Sequence, residues 1–108
     1  MDRRKELIIT GGFNVSPTEV EEVLRGHPDV EDAAVVSLPR SDGSEMVAAA
    51  VVMTDGATFS AEALRDYCRT RLAAYKVPRR IDVVPELPRS LIGKVLRKDL
   101  REQLLKSA

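Results

Sequence analysis

The chain has one cysteine, no tryptophan and no excess of either charge. A lone Cys68 excludes an internal disulfide, and the lack of an apolar signal-like N-terminus favours a cytoplasmic location. Because 17 basic residues balance 17 acidic ones, the overall charge that draws dedicated binders to nucleic acid or membrane surfaces is missing. No apolar run approaches the roughly 20 residues of a membrane-spanning helix. Composition therefore predicts a soluble globular protein.

The remaining composition fits one folded domain. With 108 residues, of which 44% are hydrophobic and 31% charged, the chain can build one core but not two. Met1 leads directly into the charged residues 2–6 and then into a short apolar run over residues 7–9. Because this abrupt opening is typical of a segment taken from within a longer protein, we interpret residues 1–108 as a single excised domain.

Apolar periodicity and turn residues predict an α+β fold, with a small mixed sheet, a short N-terminal hairpin and about three packed helices. The predicted elements are a hairpin over residues 7–15, a helix from Pro17 to Gly26, antiparallel strands over 30–38 and 46–53, a helix capped by Ser60, a strand over 81–84 and a last helix near Lys94. The helices are expected to pack on the sheet.

The start of the first helix carries the strongest local pattern. Ser16 is a favourable N-cap, Pro17 suits the first helical position, and Glu19 completes a capping box. Val15 is placed to pack on Val20 as a hydrophobic staple. We therefore expect a helix to begin at Pro17.

Gly93 and Lys94 precede leucines at four-residue spacing, which predicts that Lys94 lies in the first turn of the last helix. A cation there faces the positive end of the helix dipole, at a cost of about 0.3 to 1 kcal/mol. The same helix start attracts anions, so one interpretation is a phosphate or carboxylate ligand beside Lys94. The other is a solvated lysine on a loop, and the local residues leave both open.

Two residues with potential chemistry are assigned none. His27 follows the predicted end of the first helix, and the chain has no second histidine or nearby cysteine to complete a metal site, so we expect no bound metal. Cys68 shares an apolar helical face with Leu64 and Leu72. This placement is typical of inert packing rather than of a nucleophile.

Three motifs follow one another along the chain. The first spans residues 2–8, the second spans residues 11–21, and the third runs from Pro88 to Lys94 with Arg97 behind it. Together they resemble the C-terminal domain of the superfamily of acyl-CoA synthetases, luciferases and peptide-synthetase adenylation domains. The likeness covers nearly the whole chain. Its Gly-Phe-Asn-Val-x-Pro sequence is most similar to ligases for medium- and long-chain fatty acids.

The resemblance implies a two-step reaction by a larger enzyme. Members of the family join a carboxylate to ATP, which is expected to enter with Mg²⁺, and then transfer the acyl group from the adenylate to CoA. The implied partners are a fatty acid, ATP, CoA and a large N-terminal domain that is absent from this chain. Lys94 would be the catalytic lysine, contacting the carboxylate and the α-phosphate as negative charge develops. Alone, the domain is expected to be inactive.

By the same resemblance, residues 1–6 are a hinge segment about which the small domain rotates between the two steps. Lys5 aligns with the hinge position, and Glu6 replaces the more usual aspartate beside it. Arg3 aligns with an arginine that contacts the phosphate or ribose of the nucleotide.

Four residues are implied to bind CoA after this rotation. Gly11 and Gly12 would form a turn without side chains, along which the pantetheine passes close to the backbone. Lys76 and Arg79 would contact the CoA phosphates. From the residues alone, a tight hairpin turn explains the two glycines equally well. A solvated basic loop is the default interpretation of Lys76 and Arg79, and only the resemblance favours a role in binding CoA.

The loop before Lys94 also matches the Pro-x4-Gly-Lys pattern that protein lysine acetyltransferases recognise in some of these enzymes. Acetylation would remove the charge of Lys94 and block adenylation. This hypothesis fails if an acetyltransferase modifies Lys94 of the full-length enzyme without lowering acyl-adenylate formation.

The alternative function is a non-catalytic α+β binding module. Its basic loop and last helix would contact phosphates or nucleic acid through Arg79, Arg80, Arg97, Lys98 and Arg101. Zero net charge and only four aromatic residues argue against it, so no nucleic acid is expected as a partner. A further alternative is an interaction domain without any chemistry.

Overall fold

The structure is a computed structural model that describes residues 7–10 and 12–106. Its elements are strands β1 (Ile8–Thr10) and β2 (Phe13–Val15), helix α1 (Pro17–Arg25), strands β3 (Val30–Pro39) and β4 (Glu45–Met53), helix α2 (Ala61–Arg69), a 3-10 turn (Ala74–Lys76), strand β5 (Arg80–Val83) and helix α3 (Arg97–Lys106). The predicted α+β class, hairpin and three helices are confirmed. No helix in the described ranges is long and apolar enough to cross a membrane.

The central sheet has the strand order β3-β4-β5. β3 and β4 are antiparallel, with Val35 opposite Ala49, whereas β5 runs parallel to β4, with Ile81 also opposite Ala49. This confirms the predicted mixed sheet. β1 and β2 form a separate antiparallel hairpin, in which Ile8 is opposite Val15.

Both faces of the central sheet are covered. On one face, Ala33 and Val35 of β3 pack in a core with residues of α1, α2 and the hairpin. On the other face, Ala34 and Val36 pack in a second core that contains Leu100 and Leu104 of α3, and full burial of each leucine stabilises the fold by about 1.5 to 3 kcal/mol. Burial on two faces explains why β3 and β4 are almost continuously apolar.

The predicted start of α1 is confirmed. The Ser16 hydroxyl accepts a hydrogen bond from the Glu19 backbone N–H at 3.5 Å, and Pro17 is the first helical residue. Val15 and Val20 are both fully buried in the same core, as the staple requires. Gly26 caps the other end of the helix.

The predicted start of the last helix was wrong. α3 begins at Arg97, so Lys94 lies before the helix rather than in its first turn. A β-bridge between Arg89 and Val95, together with a 2.8 Å hydrogen bond from the Leu96 N–H to the Pro88 carbonyl, holds the chain extended up to Leu96. The leucine spacing alone did not reveal this pairing, because its partner residues lie outside the helix.

Candidate functional site

Residues 88–96 form a closed loop that presents Lys94, and this segment is named the lysine loop. Its tip is closed by hydrogen bonds from the Gly93 N–H to the Ser90 carbonyl at 2.9 Å and from the Ser90 N–H to the Lys94 carbonyl at 2.8 Å. Gly93 has a φ of +86°, which a residue with a side chain adopts only with strain. The glycine before Lys94 therefore makes the turn possible.

The side chain of Lys94 is exposed, as expected from the sequence. Within residues 7–10 and 12–106, no carboxylate pairs with its ammonium group. Leu91 and Ile92, at the tip of the same loop, are also exposed. The loop therefore fixes a backbone position for Lys94 and leaves its charge available to a ligand.

Arg89 joins the lysine loop to the central sheet. One guanidinium nitrogen donates to the Gly93 carbonyl at 2.7 Å, and another donates to the Asp32 carboxylate on β3. Asp32 also accepts hydrogen bonds from Arg25 of α1 at 3.2 Å and from the Ala33 N–H at 2.8 Å. Sequence reasoning missed Asp32. The one indication of its role was that a charged residue occurs within an apolar strand.

The pKa of Asp32 reflects this setting. Partial burial opposes ionisation, but hydrogen bonds from Arg89, the Ala33 N–H and Arg25 outweigh it and lower the pKa below its usual value. Since the folded-state pKa is lowered, the carboxylate stabilises the fold at neutral pH, and this contribution is lost as the pH falls through that pKa.

Arg97 anchors the beginning of α3 to the edge of β3. Its guanidinium donates to the Glu21 carboxylate at 2.6 Å and to the Val35 carbonyl at 3.2 Å. The same Glu21 oxygen accepts the Val35 N–H at 2.9 Å, and Glu21 is only 3% exposed. Glu21 lies one turn from both Pro17 and Leu24 on the buried face of α1. A carboxylate at that position was the sequence feature that could have indicated a buried ion pair.

A second polar region lies beside the hairpin. It is a groove of about 430 Å³, named the basic groove, and the lining residues that matter here are Thr10, Phe13, Arg40, Asp42, Tyr75 and Arg79. The Phe13 and Tyr75 rings stack with their centroids 4.4 Å apart. Two arginines and one aspartate give these residues a net positive charge, which suits an anionic ligand.

The hairpin turn next to the basic groove contains Gly12, with a φ of +84°. A Cβ atom at this position would meet no atom of the described residues within 4 Å, apart from those of its chain neighbours. The backbone conformation, rather than crowding within the domain, therefore favours glycine here. Gly11 lies outside the described residues.

The two predicted CoA-binding cations differ in their surroundings. Lys76 forms an ion pair with Glu19 at 2.9 Å, and hydrogen bonding to this carboxylate raises the pKa of Lys76. The Glu19 carboxylate in this ion pair is the one that the predicted capping box assigned to the start of α1. Arg79 is exposed, lines the basic groove and has no ion-pair partner in the described part of the chain. Arg40, which sequence reasoning missed, has a buried Nε without a hydrogen-bond partner.

The lysine loop and the basic groove lie at opposite ends of the sheet. The loop is tied to Asp32 near the start of β3, whereas Arg40 follows the last residue of β3. Eight residues at about 3.3 Å each separate these positions by about 26 Å. A ligand shorter than this separation does not contact both regions.

The remaining basic residues do not form one free face. Arg80 pairs with Asp82 at 2.6 Å, Arg97 pairs with Glu21, and Arg101 donates to the Ser37 carbonyl at 3.0 Å. Three of the five cations required by the nucleic-acid alternative are thus engaged within the domain. The structure does not support that alternative.

Two further predictions concern His27 and Cys68. Cys68 is fully buried, as predicted, and burial raises the pKa of its thiol to about 11, which disfavours the nucleophilic thiolate. His27 accepts the Asp29 N–H through Nδ1 at 3.0 Å and packs edge-on against Tyr67. The predicted roles of Arg3 and Lys5 fall on residues that the structure does not describe.

Comparison with known proteins places these features in a family. The family described as the AMP-binding enzyme C-terminal domain matches residues 19–94. A 2-succinylbenzoate-CoA ligase of Geobacillus kaustophilus is 48% identical over 107 residues, which are 99% of this chain and 22% of that protein. A long-chain-fatty-acid-CoA ligase of Escherichia coli is 41% identical over 103 residues, 95% of this chain and 18% of that protein.

A solved structure shows the same fold. The fatty acyl CoA synthetase of Mycobacterium tuberculosis superposes with a TM-score of 0.89 and 42% identity, covering 98% of this chain and 21% of that one. The chain spans about a fifth of the length of the curated relatives it matches. Because the family pattern covers most of the chain and the relatives align with it almost from end to end, the chain belongs to the family of AMP-binding enzyme C-terminal domains.

Proposed function

We propose that this chain is the C-terminal domain of an AMP-forming fatty-acid-CoA ligase. The whole enzyme joins a fatty acid to ATP, used with Mg²⁺, and then transfers the acyl group to CoA. In the first step the domain supplies Lys94, and after a rotation at Lys5 it supplies the basic groove. Relatives named as CoA ligases support this proposal. The large domain supplies the remaining machinery, so the isolated chain is inactive.

The observation that carries the proposal is the exposed ammonium group of Lys94, which pairs with no carboxylate of the described residues and lies on a loop closed by backbone hydrogen bonds. During adenylation, negative charge accumulates on the α-phosphate and on the attacking carboxylate. A positioned cation neutralises this charge without transferring a proton. A carboxylate partner within the domain would oppose such a role, and in the described ranges Lys94 has none.

Lys94→Ala in the full-length enzyme tests the role of Lys94. By analogy with loss of one transition-state contact, we expect adenylate formation to fall by roughly 10² to 10³. Thioester formation from supplied acyl-adenylate and CoA should persist. Lys98→Ala is the matched control, because Lys98 is exposed four residues later. Equal adenylation by the Lys94→Ala variant and the wild type would refute the proposal.

The second step, the transfer of the acyl group to CoA, is proposed to use the basic groove and the hairpin turn beside it. Among residues 7–10 and 12–106, no atom outside the chain neighbours of Gly12 lies within 4 Å of a Cβ built there, and no carboxylate pairs with Arg79 at the basic groove. The pantetheine would pass Gly11 and Gly12, while Arg79 and Lys76 would attract the CoA phosphates. Arg3 would contact the nucleotide of the adenylate.

The acyl substrate is proposed to be a medium- or long-chain fatty acid. Support comes from the Gly-Phe-Asn-Val-x-Pro motif and from the fatty-acid-CoA ligases among the relatives. The 2-succinylbenzoate-CoA ligase is the competing indication. A full-length enzyme that activates 2-succinylbenzoate faster than fatty acids would overturn this assignment without affecting the role of Lys94.

A further inference from the structure

We propose that Arg89 and Asp32 are positioning residues that hold the lysine loop in the shape that presents Lys94 for adenylation. The inference rests on the proposed role of Lys94. Neither residue needs to touch the substrate. Both act through the backbone of the loop, and their contribution is specific to the first of the two steps.

The contacts of Arg89 connect the lysine loop to the central sheet. Its guanidinium spans from the Gly93 carbonyl, at 2.7 Å, to the Asp32 carboxylate on β3. The Gly93 carbonyl belongs to the peptide unit that leads into Lys94. A planar guanidinium with donors in a fixed fork holds these two acceptors at a set separation. Arg89 thereby fixes the loop backbone next to Lys94 relative to the central sheet.

Asp32 is itself held in place from the opposite side. The Arg25 Nε donates to it at 3.2 Å, and another Arg25 nitrogen donates to the Ala33 carbonyl at 3.0 Å. The Ala33 N–H donates to Asp32 at 2.8 Å. The carboxylate therefore connects α1, β3 and the lysine loop. The hydrogen bonds that hold the Asp32 carboxylate also lower its pKa and so favour its ionised form.

The loop depends on this support because little else anchors its tip. Leu91 and Ile92 are exposed and bury little surface against the domain. Apart from those of Arg89, the hydrogen bonds that close the tip within residues 7–10 and 12–106 join Ser90 to the segment Gly93–Lys94. Since the Lys94 side chain has no partner among the described residues, the loop backbone sets the point from which its ammonium group can reach a ligand. A misplacement of about 1 Å can cost as much as a hundredfold in rate.

Arg89→Ala in the full-length enzyme tests the inference. We expect the kcat of adenylation to fall about tenfold with little change in the KM for ATP, because the loop is misplaced but not removed. Thioester formation from supplied acyl-adenylate should be unchanged. Hydrogen exchange of peptides covering residues 88–96 should accelerate. Arg89→Lys, which keeps the charge without the fork, should recover part of the lost rate.

Asp32→Asn tests the role of the Asp32 carboxylate as the partner of Arg89. It should lower adenylation in the same way, and combining it with Arg89→Ala should lower adenylation little further, since the Asp32 contacts that remain, to Arg25 and the Ala33 N–H, do not reach the lysine loop. The control is Arg69→Ala, because Arg69 is an exposed arginine on α2 that also pairs with an aspartate, Asp66. Arg69→Ala should leave both steps and the exchange of residues 88–96 unchanged.

The outcomes separate this inference from the function on which it rests. If Lys94→Ala leaves adenylation intact, the proposed function itself fails. If Lys94→Ala abolishes adenylation while Arg89→Ala behaves like Arg69→Ala, only the positioning role is overturned. An equal loss of both steps in Arg89→Ala would assign Arg89 to general stability and would likewise overturn the inference.

Discussion

The lysine loop and the basic groove each combine a nearby positive-φ glycine with an exposed cation, but they are built differently. At the lysine loop, Arg89 ties the Gly93 carbonyl to the sheet. At the basic groove, Gly12 occupies a hairpin turn with open space around it, and Arg79 lines the groove wall. The first region holds the backbone beside one cation, Lys94, in a fixed place, whereas the second region leaves space for a ligand.

The difference shows that a basic residue is available to a ligand only where the fold provides no carboxylate for it. Lys94 and Arg79 meet this condition within the described ranges. Lys76 does not, because Glu19 is 2.9 Å away and raises its pKa. The family resemblance implied the same role for Lys76 and Arg79, and the structure distinguishes their surroundings.

The largest expected effect comes from breaking the anchor behind the lysine loop. Glu21→Ala removes the buried partner of Arg97 and leaves the Val35 N–H without its acceptor. We expect the free energy of unfolding of the 108-residue chain to fall by about 3 kcal/mol, the lower end of the range for breaking a buried ion pair. Urea unfolding measures this change.

The matched control for that prediction is Glu22→Ala. Glu22 is exposed on the same helix. We expect its replacement to change stability by less than about 0.5 kcal/mol, as is usual for exposed positions. Similar losses in the two variants would show that the pair between Glu21 and Arg97 contributes no more than a surface residue.

An intermediate effect is expected within the basic groove. In the full-length enzyme, Arg79→Ala should raise the KM for CoA about tenfold, equivalent to losing one charge-assisted hydrogen bond. Lys76→Ala should change it less, because Glu19 already neutralises Lys76. Steady-state kinetics at constant ionic strength compares the two. A larger effect at Lys76 would reverse the assignment made from their surroundings.

The smallest effect is expected at the two glycines. Gly12→Ala and Gly93→Ala each place a side chain at a φ above +80°. Apart from the chain neighbours, no atom of the described residues lies within 4 Å of the new Cβ, so each change should cost the 108-residue chain about 1 kcal/mol through backbone strain alone. Thermal unfolding measures that cost. In the full-length enzyme, Gly12→Ala should impair thioester formation and Gly93→Ala adenylation. The same impaired step in both variants would contradict the division between the two regions.

Much of the fold follows from neighbouring residues. Ser16, Pro17 and Glu19 determine where α1 begins through contacts spanning three residues. The hairpin and the antiparallel pairing of β3 with β4 follow from short turns between apolar runs. Local patterns suffice where the stabilising contacts join residues close in sequence.

The start of α3 shows where such patterns fail. The leucine spacing predicted a helix that included Lys94, but the bridge between Arg89 and Val95 keeps the chain extended until Arg97. Helical periodicity reports which residues face a core and does not report a competing strand-like pair. The predicted exposure of Lys94 was nevertheless confirmed, since the loop projects its side chain in either arrangement.

By itself, the sequence determined the α+β class, the capped first helix and the three motifs, because these depend on local chemistry and on residue order. Lys94 was singled out as catalytic only by the family resemblance of those motifs. Only the tertiary structure decided which charges are free. The pair of Arg89 with Asp32 joins residues 57 positions apart, and that of Arg97 with Glu21 joins residues 76 positions apart. Such pairs form only after the sheet and helices have packed, and they determine which cations remain available to a ligand.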